Sequence, residues 1–225
     1  MIKMSVVFIL AAVVLSYLLG SISFGVIFSK LFSKKDVREY GSGSSGMTNV
    51  MRAVGVLPGL LTFLFDALKG AAACAAAKYW LFPLAMGAAA PSLDSAFLEP
   101  VYGAYLCGLV CMVGHMFPLF FGFKGGKGVA VSVGIFAICC PKAIIAGLLV
   151  FIICVLVCRI VSLSSLIATV TVGVGVALWH TKELLMWPQL VLTVLMCALV
   201  FIKHKDNIVR LIHGEEKRLV VRKGE

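Results

Sequence analysis

Residues 4–28 read MSVVFILAAVVLSYLLGSISFGVIF, and this stretch decides the fold class of the 225-residue chain. It carries no charged side chain along its whole length, and a helix that crosses a bilayer needs about 20 mainly apolar residues. The run is longer than the core of a secretory signal peptide, and no small-residue cleavage site precedes the next charged segment. We therefore expect a membrane-spanning helix that the mature protein keeps.

The rest of the chain continues this pattern. It is 61% hydrophobic and 13% charged, with a mean hydropathy of +1.08, whereas soluble domains carry about twice that charged fraction. The sequence predicts an all-α integral membrane protein, folded as one membrane domain over residues 1–225, with about seven transmembrane helices. The predicted spans are 4–29, 54–79, 101–122, 128–140, 143–158, 162–180 and 185–202.

Two stretches leave the boundaries less obvious. The fourth and fifth spans form one apolar run, which Pro141 and Lys142 divide because proline ends helices and lysine avoids the hydrocarbon interior. The segment 81–100 contains Pro83, Pro91 and acidic residues, and is expected to be a loop with room for a short surface helix.

The basic residues indicate the orientation in the membrane, because lysine and arginine accumulate in cytoplasmic loops. Fifteen of the 20 would share one side. These are Lys30, Lys34, Lys35, Arg38, Arg52, Lys124, Lys127, Arg159, Lys203, Lys205, Arg210, Lys217, Arg218, Arg222 and Lys223. The amino terminus is then outside and the carboxyl terminus cytoplasmic, which requires an odd number of spans. The predicted location is a bacterial inner membrane, with the polar loops facing the cytoplasm.

The net charge and the cysteines bear on two other classes of protein, those that bind nucleic acid and those that bind metal ions. A net charge of +10 suits nucleic acid in a soluble protein, but in a membrane chain it suits charge bias, anionic headgroups or an anionic substrate. No nucleic acid is expected as a partner. All eight cysteines fall in apolar stretches, where a thiol behaves as a small hydrophobe, so packing is favoured over metal binding or disulfides.

The first polar loop reads GSGSSGMTNVMR over residues 41–52. Three glycines among hydroxyl residues ahead of a helix can present backbone N–H groups to an anion, and an arginine can add a fork of donors. A flexible loop explains the composition equally well. The candidate ligand-binding residues in this loop are Ser42, Gly43, Thr48, Asn49 and Arg52.

The second polar loop reads FKGGKG over residues 123–128. Two lysines among glycines form another candidate cradle for phosphate, with Lys124, Gly125, Gly126 and Lys127 as its residues. The loop is not a Walker A motif, because glycine stands where serine or threonine must follow the Gly-Lys pair.

Two more polar segments fall on the same predicted side. Ser162 and Ser165 follow a tight turn between two spans, where they either cap a helix or contact a ligand. His204, Asn207 and Arg210 recur every three residues, so they would share one face of a helix that leaves the membrane. A solvated helix face explains that spacing as well as a binding site does.

Few ionisable residues lie inside the spans. Asp66 and Lys69 are spaced for a mutual salt bridge, which leaves a structural and a functional role open. His115 stands near a membrane boundary, where a structural hydrogen bond is favoured over catalysis. A transporter would need ionisable residues throughout its spans, and a scaffold gives no reason for the glycine-lysine loops.

Taken together, these segments resemble the acyl-phosphate-dependent glycerol-3-phosphate acyltransferases of bacteria (the PlsY type), and the resemblance covers essentially the whole chain. The family patterns are G-S-G-N-x-G-A-T-N with a following arginine (here 41–52), D-x-x-K-G (66–70), G-H-x-F-P (114–118), F-K-G-G-K-G-V-A-T (123–131) and H-R-x-N-I-x-R-L-x-x-G-x-E (204–216). The chain departs from them at Ser44, Met47, Val131 and Lys205. Ser44 and Lys205 change donor geometry, since lysine does not reproduce a bidentate arginine.

The resemblance implies transfer of a fatty acyl group from acyl phosphate to the sn-1 hydroxyl of glycerol 3-phosphate, giving lysophosphatidic acid and phosphate in the first step of phospholipid synthesis. It implies no cofactor and no metal, and we expect the protein to work as a monomer. Its catalytic residues would be His204, Asn207 and Lys127. The substrate-binding residues would be Ser42, Gly43, Thr48, Asn49, Arg52, Lys124, Gly125, Gly126, Ser162, Ser165 and Arg210. Two proton acceptors stay open: His204 as general base, or a substrate phosphate with His204 only orienting.

Overall fold

The computed structural model describes residues 2–87, 100–180 and 187–219, and within those ranges its regular structure is helical throughout. The helices are α1 Ile2–Gly20, α2 Phe24–Ser33, α3 Met47–Ala53, α4 Val56–Ala76, α5 Phe82–Gly87, α6 Pro100–Met116, α7 Val129–Cys139, α8 Pro141–Cys158, α9 Val161–His180, α10 Trp187–Lys203 and α11 Lys205–Ile212. A π-helical turn, Ala77–Leu81, joins α4 to α5, and short 3-10 turns occupy Val37–Glu39 and Leu119–Phe121. The predicted all-α architecture is confirmed.

Five helical segments are long and apolar enough to cross a membrane. They are Ser5–Ser33, Val56–Ala85, Pro100–Phe121, Pro141–Cys158 and Val161–Trp179. A sixth candidate is α10 taken together with α11, and the two helices are bent by 60° relative to each other. The fourth predicted span, 128–140, is the apolar helix α7, whose 11 residues cover about 16 Å, roughly half of a bilayer core. The number of crossings and the orientation therefore stay predictions.

The structure refines two of the predicted boundaries. The span predicted over 4–29 is two helices, because the chain breaks at residues 21–23 between α1 and α2. The short helix expected within the segment 81–100 is α5, and it continues α4 through the π-helical turn Ala77–Leu81, so Pro83 lies inside a helix that runs unbroken from Val56 to Ala85. Residues 88–99, and the start of the predicted span 185–202, lie outside the described part of the chain.

Small residues let the helices approach closely, as is usual where lipid supplies no hydrophobic drive for association. A Cβ atom on Gly20 of α1 would lie 2.1 Å from the carbonyl oxygen of Cys111 in α6, and one on Gly114 would lie 2.4 Å from that of Tyr17. On the other side of the bundle, a Cβ on Gly134 of α7 would lie 1.8 Å from the carbonyl oxygen of Ala67 in α4. The helices α1, α4, α6 and α7 therefore pack backbone to backbone.

The main core lies between α4, α6, α7 and α10, with Tyr105, Met112, Ile135 and Met196 fully or almost fully buried. Cys74, Cys107, Cys111 and Cys140 are buried in the apolar cores, as the packing interpretation predicted. Large apolar side chains cover the outer faces, as in Leu149 and Val157 of α8, which is the arrangement a lipid environment requires. This packing fixes the helix ends from which the polar loops emerge.

Candidate active site

The segment after α11 folds back across the ends of the other helices. Gly214 turns the chain with φ +72°, a conformation that glycine adopts without steric cost. The Leu219 amide then donates to the Arg159 carbonyl at 2.7 Å, and the Arg52 guanidinium donates to the Lys217 carbonyl at 3.4 Å. The carboxyl-terminal segment thus joins the first polar loop to the turn between α8 and α9.

A polar cluster forms where this segment crosses, and we define it as Lys127, Ser162, Asn207, Arg210 and Glu216. The Glu216 carboxylate is its centre. One oxygen accepts from Ser162 Oγ at 2.9 Å and from Asn207 Nδ2 at 2.7 Å, and the other accepts from Arg210 Nε at 2.7 Å. Burial acts to raise the pKa of the Glu216 carboxyl, but the hydrogen bonds from Arg210, Asn207 and Ser162 outweigh it and hold the pKa below its usual value.

Lys127 reaches the cluster from the glycine-rich loop that precedes α7. Its ammonium group donates to Asn207 Oδ1, so the Asn207 amide bridges Lys127 and Glu216. Burial lowers the pKa of the Lys127 ammonium group to about 8, with Glu216 opposing the shift and Arg210 adding to it. A cation held this way is a ready partner for an anionic ligand.

His204 lies at the bend between α10 and α11 and is 3% exposed. Its Nδ1 lies 2.8 Å from the Val200 carbonyl oxygen, and because a carbonyl only accepts, Nδ1 carries the proton of the neutral ring. Nε2 is then left with a free lone pair. Burial lowers the pKa of His204 to about 4, the Val200 hydrogen bond opposes this, and nearby Lys127 adds to it. The ring is therefore neutral near pH 7.

In the first polar loop, Asn49 organises the backbone. Its buried amide nitrogen donates to the carbonyls of Val37, Tyr40 and Ser44 at 2.8–3.0 Å, and its oxygen accepts from the Ser42 amide at 3.1 Å. These contacts occupy both the amide nitrogen and the amide oxygen of the Asn49 side chain. We therefore interpret Asn49 as a residue that shapes the loop, while its expected contact with a substrate stays a prediction.

The other candidates of this loop are more open. Ser42 and Gly43 are exposed, and Gly43 has φ +68°, which favours glycine. Thr48 is partly buried in the first turn of α3, and Arg52 is exposed in the last turn. Through the contact of Arg52 with the carboxyl-terminal segment, the structure brings this end of the loop towards the polar cluster.

The two lysines of the second polar loop lie in different environments. Lys124 is exposed, and its carbonyl oxygen lies 3.5 Å from an Arg38 nitrogen, away from the contacts that build the polar cluster. Gly125 and Gly126 fold against His115, because a Cβ on either would come within 2.2 Å of that residue. Packing thus explains both glycines, and the ligand-binding roles predicted for Lys124, Gly125 and Gly126 stay predictions.

Ser165 does not join the cluster, although Ser162 does. The Ser165 hydroxyl donates to the Val161 carbonyl at 2.9 Å within α9. It lines an apolar cavity of about 90 Å³ together with side chains of α7, α8 and α10, among them Val133, Leu148 and Met196. The site therefore has a charged part at the helix ends and an apolar part between the helices.

Glu216 is the residue that the sequence-based set of site residues omitted. It belongs to the tail motif, and it is one of only ten acidic residues in a chain of 20 lysines and arginines. Its position, six residues beyond Arg210 in a basic tail, was the available signal. The contact with Ser162 across 54 positions carries no sequence signal.

The fold and the site define a helical membrane protein whose polar end gathers cations and amides suited to anions. A family model described as glycerol-3-phosphate acyltransferase matches residues 10–214. A Thiobacillus denitrificans glycerol-3-phosphate acyltransferase is 41% identical over 93% of this chain and 96% of its own length. A Bacillus anthracis protein described as glycerol-3-phosphate acyltransferase 2 is 36% identical over 92% and 97% of the two chains.

Two crystal structures are also similar. The glycerol 3-phosphate form of PlsY (YgiH), an integral membrane glycerol 3-phosphate acyltransferase, matches with a TM-score of 0.79 at 36% identity, covering 94% of this chain and 96% of that one. Its lysophosphatidic acid form gives 0.76 at 35% identity over 94% and 95%. The chain therefore belongs to the glycerol-3-phosphate acyltransferase family, and the protein is an integral membrane acyltransferase.

Proposed function

We propose that the protein transfers a fatty acyl group from acyl phosphate to the sn-1 hydroxyl of glycerol 3-phosphate, at the cytoplasmic face of a bacterial inner membrane. One observation carries the proposal. Lys127, Asn207 and Arg210, which come from two distant parts of the chain, meet in one partly buried cluster at the end of an apolar helix bundle. Both substrates carry a phosphate, and one of them also carries an acyl chain that needs an apolar neighbour.

The reaction needs positioning more than it needs a nucleophile from the protein. The glycerol hydroxyl oxygen attacks the acyl carbonyl carbon, the bond from that carbon to the phosphate oxygen breaks, and phosphate leaves as a good anion. When the protein holds both phosphates in fixed positions, the glycerol hydroxyl is kept close to the acyl carbonyl carbon. Cations near the leaving oxygen stabilise its developing charge. The described contacts contain no Ser-His-Asp arrangement that would favour an acyl-enzyme.

The roles follow from the chemical groups. Lys127 and Arg52 contribute positive charge, Ser42 contributes a hydroxyl donor, and Arg210 contributes the guanidinium nitrogens that Glu216 does not use. Asn207 is held by Lys127 and Glu216, so it connects the cation to the tail. The apolar cavity beside Ser165 lies where an acyl chain could enter between the helices.

Two groups compete for the hydroxyl proton. Neutral His204 has Nε2 free to accept it, which supports the role of general base. A pKa of about 4 makes this imidazole a weak base, and that supports the rival, in which a substrate phosphate with a second pKa of about 6 accepts the proton. In the rival mechanism His204 orients the acceptor alcohol.

The donor is tested with purified protein in detergent. Radiolabelled glycerol 3-phosphate is supplied with palmitoyl phosphate or with palmitoyl-CoA, and the product is separated into 1-acyl and 2-acyl lysophosphatidic acid. We expect the 1-acyl product with palmitoyl phosphate and no product with palmitoyl-CoA. Product formed from palmitoyl-CoA alone would refute the donor assignment, and a 2-acyl product would refute the sn-1 assignment.

A further inference from the structure

A buried polar network inside the bundle is not used by the proposed chemistry. It consists of Asp66 and Lys69 on α4 and His115 on α6, with exposures of 1%, 3% and 4%. One Asp66 oxygen lies 2.8 Å from Lys69 Nζ and 3.5 Å from His115 Nδ1. Lys69 Nζ also donates to the Ile22 carbonyl at 2.7 Å, at the break between α1 and α2. The network thus ties three helical segments together.

The network ends against the glycine-rich loop. The Gly126 amide donates to the His115 carbonyl at 3.2 Å. A Cβ on Gly126 would lie 2.2 Å from His115 Nε2, and one on Gly125 would lie 2.0 Å from the His115 carbonyl oxygen. The imidazole edge and the main chain of His115 therefore form the surface on which this loop is folded. Lys127 is the next residue along the chain.

We infer that the Asp66–Lys69–His115 network positions the loop and, through it, the Lys127 ammonium group. This inference rests on the proposed function, in which Lys127 holds a substrate phosphate. Buried charges are costly among membrane helices, and apolar side chains could join the helices without that cost. The Asp66 carboxylate lies beside Nδ1 of His115 and so fixes the orientation of the imidazole ring. The opposite edge of the ring then faces Gly126. His115 is thus a positioning residue, since it acts through Lys127.

A double-mutant cycle tests the coupling. His115→Leu removes the ring contacts, Lys127→Ala removes the cation, and kcat/KM for glycerol 3-phosphate is measured for both single variants and the pair at saturating palmitoyl phosphate. We expect His115→Leu to lower kcat/KM about tenfold in the wild-type background and less than about twofold in the Lys127→Ala background. A loss of the same factor in both backgrounds would overturn the inference.

Cys111→Ala is the matched control for packing. Cys111 is buried on α6 one helical turn before His115 and contacts the Lys69 carbonyl through its sulfur at 3.7 Å. We expect it to lower the melting temperature in detergent without changing kcat/KM. An equal loss of kcat/KM in this control would show that His115 acts only through stability, and would also overturn the inference.

His115→Asn keeps the experiment decisive if the leucine variant does not fold. Its side chain stays polar beside Asp66, but it lacks the ring edge that lies against Gly126. The same cycle is run with this variant, and the same dependence on Lys127 is expected. Failure of the proposed function is distinguishable, because the wild-type protein would then give no product from palmitoyl phosphate, or Lys127→Ala alone would leave kcat/KM unchanged.

Discussion

Lys127 and Lys124 share one glycine-rich loop, yet their environments differ because Lys127 is partly buried in the polar cluster while Lys124 is exposed. The sequence does not distinguish the two lysines, since both stand beside glycines and neither has a polar partner close by in the sequence. The partner of Lys127 is Asn207, 80 positions away. The fold, and not the local sequence, therefore determines which of the two lysines lies where an anion could bind.

The lowered pKa of Lys127 predicts a pH dependence. An ammonium group with a pKa of about 8 is charged below that pH and neutral above it, so attraction to phosphate is present below pH 8 and lost above. We expect kcat/KM for glycerol 3-phosphate to fall as pH rises through about 8. In Lys127→Arg the guanidinium stays charged, and the decline should disappear. An unchanged decline in this variant would assign the titration to another group.

His204 gives a second prediction at this scale. If His204 is the base, kcat should fall in His204→Ala far more than KM for glycerol 3-phosphate rises, and the wild-type inflection should lie near pH 4. An unperturbed histidine titrates near pH 6.5, and burial lowers the pKa of His204 from that range. If a phosphate accepts the proton, the inflection lies near 6 and survives in His204→Ala. A pH–rate profile of both proteins decides between them.

At the scale of elements, the carboxyl-terminal segment holds the site together. Three side chains from α9 and α11 point their donors at one Glu216 carboxylate. Hydrogen bonds to an ionised group are stronger than neutral ones. The segment thus orients Asn207 and Arg210 while it bridges Arg52 and Arg159 by its main chain.

Removing that charge should loosen the segment. We expect Glu216→Gln to lower kcat/KM about tenfold and to lower the melting temperature in detergent, because Arg210 loses its ionic partner and the new amide group places a donor among donors. Glu215→Gln is the control, since Glu215 is exposed. The role given to Glu216 would be wrong if both variants matched the wild-type protein in activity and melting temperature.

Most of the helices were predictable from the sequence, because long apolar runs indicate membrane helices and Pro141 indicates where one helix ends and the next begins. The break at residues 21–23 was not, since it contains no proline and lies in a stretch without charged residues. The continuation of α4 through Pro83 into α5 was not predictable either, since a proline usually ends a helix. The roles of Asn49 and Glu216 depend on contacts with main chain and with distant segments, which residue patterns do not contain.

At the scale of the whole molecule, one end of the helix bundle carries the polar cluster, and large apolar side chains cover the outer faces of the described helices. The excess of basic residues in the loops at this end predicts that it faces the cytoplasm. The same asymmetry would deliver an amphiphilic substrate from the bilayer with its phosphate already near the cations.

Topology can be tested by labelling. Ser44→Cys places a thiol in the first polar loop of a variant in which the eight native cysteines are replaced by serine or alanine. We expect a membrane-impermeant maleimide to label it in inverted inner-membrane vesicles, and not from the outer side of spheroplasts. Labelling in intact spheroplasts would reverse the orientation and place the cluster outside the cytoplasm.

The central claim is that the polar cluster binds a substrate phosphate, and equilibrium binding of radiolabelled glycerol 3-phosphate without an acyl donor tests it most directly. Lys127→Ala should weaken binding by about ten- to a hundredfold, the value of a lost charge-assisted contact, while the protein keeps its melting temperature. Lys124→Ala should weaken it less than about fivefold, since an exposed charge contributes roughly 0–1 kcal/mol. Wild-type affinity in Lys127→Ala would contradict the claim and leave Lys127 as a determinant of topology alone.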